Sequence, residues 1–305
     1  GDMAQFSRVM VVWNVVSGAD TQPKDRKAVE GFLDEAGVEY RLREWRSADD
    51  PARFVREAAD GDFDLVLAAG GDGTAAAVAD ALIRQRRDLP LAALPLGTSN
   101  LLAASLGVPD GARDALEALW AGQIRRVDAG YMPGRDRYFL LAASAGAHAE
   151  MLRRTSRRLK RDLGFFAYLI SAVRTILGFH LRKADIEADG TRHSWRTDSV
   201  MVLNMAGFLQ VEDALAHRVD PADGKLDLVV TRKGSLLDLA GLLLSALIGR
   251  RFDPWRTEHR HVRRVTVAAA EGLEVQSDGE PAGSSPMTAE VVEAALNVVV
   301  CPRSG

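Results

Sequence analysis

The residues best suited to chemistry form a glycine-rich segment, Gly70-Gly71-Asp72-Gly73-Thr74, between an apolar run at 65–69 and an alanine-rich stretch. A strand, a glycine turn and a helix in this order expose backbone N–H groups at the positive end of the helix, where α/β proteins bind phosphate. Glycine also lets the backbone approach a ligand closely. An acid in such a loop does not contact phosphate unaided, so Asp72 predicts a metal ion, a cationic partner or a proton transfer. A tight turn with an aspartate cap stays open as the simpler interpretation.

The segments around this loop alternate between strand-like and helix-like patterns. Apolar runs predict buried strands, and stretches of helix formers that end at glycine predict helices. The predicted strands cover 9–13, 38–43, 64–69 and 91–94, and the predicted helices cover 24–36 and 51–59. Strands separated by helices of this length indicate a parallel sheet with right-handed crossovers. The sequence therefore predicts an α/β domain.

Three turns follow three of these predicted strands. They cover residues 14–18, 70–74 and 97–100, and the last of them reads Gly97-Thr98-Ser99-Asn100. Ligands of open α/β sheets bind beyond the carboxyl ends of the parallel strands. We therefore expect the three turns to meet in one crevice.

From about Asp128 the pattern changes to short strands separated by turn residues. Predicted strands cover 138–143, 184–188, 199–204, 226–231, 262–269, 273–276 and 295–300, and two helical segments cover about 148–179 and 236–250. This pattern is typical of a largely antiparallel domain. We expect one domain over 1–128 and a second over 129–305, and a return of the C-terminal segment to the first domain stays open.

The overall composition limits the function classes. The chain has 305 residues, of which 47% are hydrophobic, and a formal net charge of −3. This charge gives no support for nucleic-acid binding by the protein as a whole. The single cysteine, Cys301, excludes a disulfide framework and a cysteine-rich zinc site. The apolar segment at 236–248 is shorter than the roughly 20 residues that a membrane span needs, so we expect a cytoplasmic protein.

Further motifs occur in a fixed order along nearly the whole chain. They are Asn14 with Ser17-Gly18, the glycine-rich segment, Pro-Leu-Gly-Thr-Ser-Asn at 95–100, Val-Asp-Ala-Gly at 127–130, Lys-Arg-Asp-Leu-Gly at 160–164, Asp-Gly-Lys-Leu-Asp at 223–227 and Asp-Gly-Glu-Pro at 278–281. Each motif is weak by itself. Their order and spacing together resemble the diacylglycerol-kinase catalytic-domain family, the bacterial lipid kinases related to sphingosine kinases.

This resemblance implies an ATP-binding domain like that of phosphofructokinases and NAD kinases, joined to a β-sandwich that accepts a lipid. It also implies transfer of the γ-phosphoryl group of ATP to a lipid hydroxyl, with Mg²⁺ neutralising phosphate charge. By the same resemblance Asp278 is the base, Asp72 belongs to the phosphate–metal network, and Glu280 is a further retained acid. Without the resemblance, Asp278 is more simply a hairpin-turn aspartate.

The resemblance also assigns ligand-binding residues. Those for ATP are Asn14, Ser17, Gly18, Gly70, Gly71, Asp72, Gly73, Thr74, Gly97, Thr98 and Asn100. Asp220, Asp223 and the backbone carbonyl of Lys225 match the family's structural magnesium site, since hard cations take oxygen ligands. A plain turn stays open there, because Pro221 and Gly224 already explain the local sequence.

The chain departs from the family pattern at three places. Ala76-Ala77 stand where the family usually has Asn-Glu, Leu101 replaces an acid, and Val15-Val16 stand in a loop that usually contains proline. Two alternatives to a lipid kinase therefore stay open. One is an NAD kinase, against which the missing Asn-Glu pair argues. The other is a non-catalytic relative that binds lipid or nucleotide.

A dense basic run at 153–161 carries six positive side chains and precedes aromatic and aliphatic residues at 165–177. Basic residues near an anionic leaflet contribute about 1 kcal/mol each to membrane binding. The basic run therefore predicts that the lipid substrate implied by the resemblance is reached by peripheral contact with the anionic inner face of the membrane. A solvated helix face and a phosphate-facing patch are the alternatives. A homodimer stays open, because the sequence does not give the oligomeric state.

Overall fold

Alternating strands and helices build the first part of the protein. The computed structural model describes residues 6–14, 22–146, 182–205, 219–232, 256–270 and 272–301. The strands of the first part are β1 (Arg8–Asn14), β2 (Glu39–Trp45), β3 (Leu65–Gly70) and β4 (Leu91–Pro95). Its helices are α1 (Gln22–Glu35), α2 (Asp50–Asp60), α3 (Asp72–Arg84), α4 (Leu101–Ser105) and α5 (Ala112–Trp120).

The first four strands pair side by side in the order β4, β3, β1, β2, and every pairing is parallel. β3 and β4 are buried along their whole length, which is typical of a parallel sheet covered on both faces. All four strands end at the same edge of the sheet, so Asn14, Gly70 and Pro95 lie there together. The structure thus confirms the predicted parallel sheet.

Antiparallel pairing dominates the second part. Its strands are β5 (Gln123–Met132), β6 (Arg137–Phe139), β7 (Ala142–Gly146), β8 (Arg182–Ala188), β9 (Thr191–Leu203), β10 (Leu226–Arg232), β11 (Arg256–Val262), β12 (Arg264–Ala269), β13 (Glu274–Ser277), β14 (Glu280–Ser284) and β15 (Met287–Val300). They pair in the order β14-β13-β7-β9-β8-β12-β15, with β10 on β9, β11 on β10, β5 on β15 and β6 on β5. Alternate side chains, such as Leu226, Leu228 and Val230, enclose a second hydrophobic core.

The last strand, β15, joins the two parts. Residues 287–290 pair with β12, whereas residues 290–292 and 296–300 pair with β5. Val298 also lies beside Leu91 of β4 in the parallel direction. The register shifts between residues 292 and 296, and such a bulge bends a strand. The C-terminal strand therefore runs from the antiparallel part into the sheet of the first part.

Two predicted strands are each divided in the structure. The segment 138–143 belongs to β6 and β7, separated by Leu140 and Leu141, whose N–H groups donate to the Asp278 carboxylate. The segment 262–269 belongs to β11 and β12, separated by Arg263, whose N–H donates to the Asp189 carboxylate. In both places the backbone N–H groups donate to a carboxylate that is distant in the chain instead of to a neighbouring strand. The local sequence does not indicate this interruption.

Other differences concern elements that the sequence patterns did not indicate. These are α5, all of β5 and β14, most of β11, and the first parts of β9 and β15. The predicted helical segments at 148–179 and 236–250 lie outside the described residues, and so does the basic run at 153–161. In the described ranges no helix has both the length and the apolar character needed to span a membrane.

Candidate active site

The glycine-rich loop joins β3 to α3 and leaves the first turn of that helix accessible. A Cβ at Gly70 would lie 2.2 Å from Thr74 Oγ1, so only glycine lets the helix start directly after the strand. The N–H groups of Gly71, Asp72 and Gly73 donate to no described residue. Gly73 is exposed, with nothing within 4 Å of the place that a Cβ would take. Free N–H groups at the start of this 13-residue helix suit an anionic ligand.

Asn14, at the end of β1, is fixed by the same loop. Its Nδ2 donates to Thr74 Oγ1 over 2.9 Å. Thr74 is only 1% exposed, so its hydroxyl orients Asn14 and is not presented to a ligand. The bond brings the first and second predicted turns together, while Ser17 and Gly18 of the first turn lie outside the described residues.

The third predicted turn is in backbone contact with the glycine-rich loop. A Cβ at Gly97 would lie 2.4 Å from Gly71 Cα, so the two loops touch without side chains between them. Asn100 has a left-handed backbone conformation with φ of 51°. Its Oδ1 accepts from Gly97 N over 2.9 Å, and its Nδ2 donates to Gly97 O over 2.8 Å. Asn100 therefore holds the shape of this loop, and Thr98 is exposed on it.

Asp72, the first residue of α3, links the glycine-rich loop to α4. Its Oδ1 accepts from Leu102 N over 2.9 Å, near the start of α4. Its Oδ2 accepts nothing from the described residues. One oxygen thus positions α4, and the other is available to a cation. Only the second role could be predicted from the sequence, because the partner of the first, Leu102, is 30 residues away.

Asp278 occupies a two-residue turn between β13 and β14, with φ of 48° at Asp278 and 81° at Gly279. Asp-Gly is the sequence that such turns favour. Its Oδ2 accepts from Leu140 N over 2.8 Å, and its Oδ1 accepts from Leu141 N over 2.8 Å and from Ala142 N over 3.0 Å. Burial raises the pKa of the Asp278 carboxyl, while these three donors and the Arg137 guanidinium oppose that rise.

The peptide groups that hold Asp278 lie where the two parts meet. Leu140 and Leu141 are 2% and 3% exposed and belong to the hydrophobic core of the α/β part. Asp278 itself belongs to the antiparallel part. The structure therefore sets this carboxylate at the boundary between the two parts. Glu280 begins β14 and is exposed.

The predicted magnesium residues form two consecutive aspartate turns. Asp220 Oδ1 accepts from Ala222 N over 3.1 Å, and Asp223 Oδ1 accepts from Lys225 N over 3.0 Å. Asp220 also pairs with Arg125 over 2.6 Å. One oxygen of each carboxylate thus already has partners within the protein, and the other oxygen of each is available to a cation.

Asp128 is a residue whose role the sequence did not reveal. It is 3% exposed, and its two carboxylate oxygens accept from Gly224 N and Ala294 N, each over 2.7 Å. Its own N–H donates to Pro221 O. Asp128 therefore fastens both the 220–224 turn and the bulge of β15 to β5. The sequence signal that could have indicated this role is an acidic residue within the largely apolar segment 127–132.

Both parts of the chain match known families. Residues 8–132 match the family model of the diacylglycerol kinase catalytic domain, and residues 142–300 match the YegS C-terminal NAD kinase beta sandwich-like domain. The "Diacylglycerol kinase" of Bacillus subtilis (strain 168) is 28% identical over 285 residues and covers 92% of each chain. The "Probable lipid kinase YegS-like" of Pseudomonas aeruginosa (strain UCBPP-PA14) is 32% identical over 293 residues, which are 93% of this chain and 92% of that protein.

A solved structure supports the same fold. It is a diacylglycerol kinase from Bacillus anthracis str. Sterne, and it aligns with a TM-score of 0.71 at 19% identity, covering 98% of each chain. This likeness, with the β-sandwich match, confirms the predicted fold class of a parallel α/β domain joined to a mainly antiparallel β-sandwich.

Proposed function

The chain belongs to the family of lipid kinases defined by the diacylglycerol kinase catalytic domain, and on that premise we propose that it uses ATP to phosphorylate a hydroxyl of diacylglycerol or a related lipid. The observation that carries the proposal is the accessible first turn of α3, where Gly71, Asp72 and Gly73 offer free N–H groups. Phosphate oxygens of ATP fit this cradle, since they carry negative charge and need closely spaced donors.

The residues around the cradle have separate tasks in this proposal. Asn14 and Asn100 fix the edges of the crevice, and Asp72 Oδ2 would hold Mg²⁺. When bound, Mg²⁺ neutralises phosphate charge. A second Mg²⁺ with a structural role would take the free carboxylate oxygens of Asp220 and Asp223 and the carbonyl of Lys225, all of which are oxygen donors suited to a hard cation.

Asp278 is the proposed general base. As the lipid hydroxyl attacks, its oxygen forms a bond to the γ-phosphorus, the bond from that phosphorus to the bridging oxygen of ADP breaks, and the hydroxyl proton goes to the Asp278 carboxylate. Oδ2 accepts only one backbone bond, so it has a lone pair left for the substrate hydroxyl. The raised pKa favours proton uptake by this carboxylate.

One assay separates the lipid kinase from the two alternatives. The protein is incubated with Mg²⁺ and ATP labelled at the γ-phosphate, together with diacylglycerol, sphingosine, ceramide, phosphatidylglycerol or NAD. We expect label in a lipid. Label in NAD alone would establish an NAD kinase, and labelled product from none of the acceptors would favour the non-catalytic relative.

The pH dependence of catalysis should depend on Arg137. Asp278 accepts a proton only when ionised, and its pKa is raised, so kcat/KM should increase as the pH rises through that pKa. Replacing Arg137 by glutamine removes a charge that lowers this pKa. We therefore expect the acid limb of kcat/KM to move to higher pH in Arg137→Gln and to stay in place in Arg192→Gln, a change at an exposed surface pair. An unmoved limb, or one at lower pH, would exclude Asp278 as the titrating base.

The basic run at 153–161 is proposed to bring the enzyme to anionic membranes. Vesicle binding should fall with added salt, because the Debye length is about 8 Å at physiological ionic strength. It should also fall when Arg153, Arg154, Arg157 and Arg158 are changed to serine, whereas turnover of a detergent-solubilised short-chain lipid should change much less. A matched control removes the same charge at exposed positions elsewhere, namely Arg46, Arg113, Arg192 and Arg264.

Co-sedimentation with anionic and with neutral vesicles measures the membrane binding of the unchanged protein and of the two four-site variants. Equal binding to both vesicle types, or equal losses in the two four-site variants, would assign the basic run to a solvated surface.

A further inference from the structure

Two histidines and an aspartate converge on the face of the β10–β11 pair opposite to that of Leu226, Leu228 and Val230. Asp227 lies directly opposite His261 in the strand register, and His259 lies two residues before His261. Residues two apart on a strand point to the same face, so all three side chains meet there. Asp227 Oδ1 lies 2.5 Å from His259 Nε2 and 3.3 Å from His261 Nδ1.

Burial changes steadily across this cluster. The side chain of Asp227 is 1% exposed, that of His259 is 15% exposed and that of His261 is 43% exposed. The carboxylate is therefore closed off by protein, while the His261 side opens to solvent. An ion could enter from that side, and water could complete its coordination.

The donor atoms suit one metal ion. One ligand atom from each residue lies within 4.8 Å of the other two, and zinc sites place nitrogen and oxygen ligands about 2.0–2.2 Å from the metal. Modest side-chain shifts would bring all three atoms to that distance. Asp227 Oδ1 faces both imidazoles. We propose that Asp227, His259 and His261 bind a first-row divalent transition-metal ion, with Zn²⁺ as the best fit.

This site differs from the proposed magnesium sites in its chemistry. Two imidazole nitrogens and one carboxylate favour zinc or a similar metal, whereas Mg²⁺ prefers oxygen ligands throughout. The ion would also cross-link β11 to β10, and β10 is the only described strand that pairs with β11. Binding should therefore raise the midpoint of thermal unfolding, since a ligand that binds only the folded state stabilises it.

The test is a titration of the full chain with Co²⁺ in the presence of a large excess of Mg²⁺. Co²⁺ is a spectroscopic substitute for Zn²⁺, and Mg²⁺ occupies oxygen sites without competing well for imidazole. We expect one equivalent of Co²⁺ to give a visible absorption band that Zn²⁺ abolishes. In His261→Ala the affinity should fall at least about tenfold, as loss of one of three ligands requires. In His193→Ala it should not change, because His193 stacks on Trp195 outside the cluster.

His261→Gln serves as a second variant, because it keeps a polar side chain at this half-exposed position and should lose affinity equally. Binding that persists in both His261 variants, loss in His193→Ala, or no Co²⁺ binding to the unchanged protein would each overturn the proposal. All readouts are independent of kinase activity, so the outcome does not depend on the proposed function.

Discussion

Asp278→Asn should lower lipid phosphorylation by about 10²–10⁴-fold, the usual contribution of general acid–base assistance, and leave ATP affinity nearly unchanged. The amide keeps the shape of the carboxylate but cannot take up the hydroxyl proton. It also places an NH₂ group against backbone N–H donors that now bind oxygen, so some stability should be lost as well. The activity and the free energy of unfolding must therefore be measured on the same preparation.

The chain offers a matched control for the structural part of this effect. Asp189 also begins a two-residue Asp-Gly turn, with φ of 47° at Asp189 and 82° at Gly190. Its carboxylate likewise accepts backbone bonds, from Arg263 N and Arg264 N. Asp189→Asn should lose stability in the same way but retain turnover. Comparable turnover in Asp278→Asn and Asp189→Asn would leave Asp278 a turn residue and remove it from the base role.

Gly73→Val should abolish nucleotide binding in a folded protein. Gly73 lies in the first turn of α3 with open space where a side chain would point, so valine would fill the cradle that the phosphates need. Gly71 is a less clean position for the same change, because its Cβ would already lie 3.3 Å from Gly97 Cα. Valine and glycine differ by less than about 1 kcal/mol in helix propensity, and thus α3 should persist.

The control for this variant is Gly31→Val. Gly31 lies in α1, where a Cβ also meets nothing within 4 Å, and it is far from the strand ends that form the crevice. Calorimetric titration with ATP should give normal affinity for Gly31→Val and no measurable binding for Gly73→Val. Unchanged affinity in a folded Gly73→Val protein would mean that the phosphates bind elsewhere.

The parallel sheet could be predicted because its signals are local. The apolar runs within β1, β3 and β4 are buried. Close contacts require glycine at Gly70, which ends β3, and at Gly97, in the loop that follows β4. Because these loops lie beyond the ends of adjacent parallel strands, the sheet itself brings them together. No long-range contact has to be predicted for that. The edge of the sheet that carries the candidate site thus followed from short stretches of sequence.

The contacts that shape the site could not be predicted, because their partners are distant in the chain. Asp72 binds Leu102 N, 30 residues away, and Asp278 binds Leu140 N, 138 residues away. The same holds for β15, which pairs along its length with β12, β5 and β4. The pair His259 and His261 had the spacing of one strand face, but β11 itself was not predicted and Asp227 lies on another strand.

The most direct test of the central claim is a single-turnover experiment. The protein in excess is mixed with Mg²⁺ and ATP labelled at the γ-phosphate, in vesicles that contain diacylglycerol, ceramide and phosphatidylglycerol, and the organic phase is extracted over time. We predict that the label moves into an organic-soluble phospholipid with the unchanged protein and with Gly31→Val, and that it does not move with Gly73→Val. Label that stays in the aqueous phase with the unchanged protein, as ATP or as free phosphate, would contradict an ATP-dependent lipid kinase.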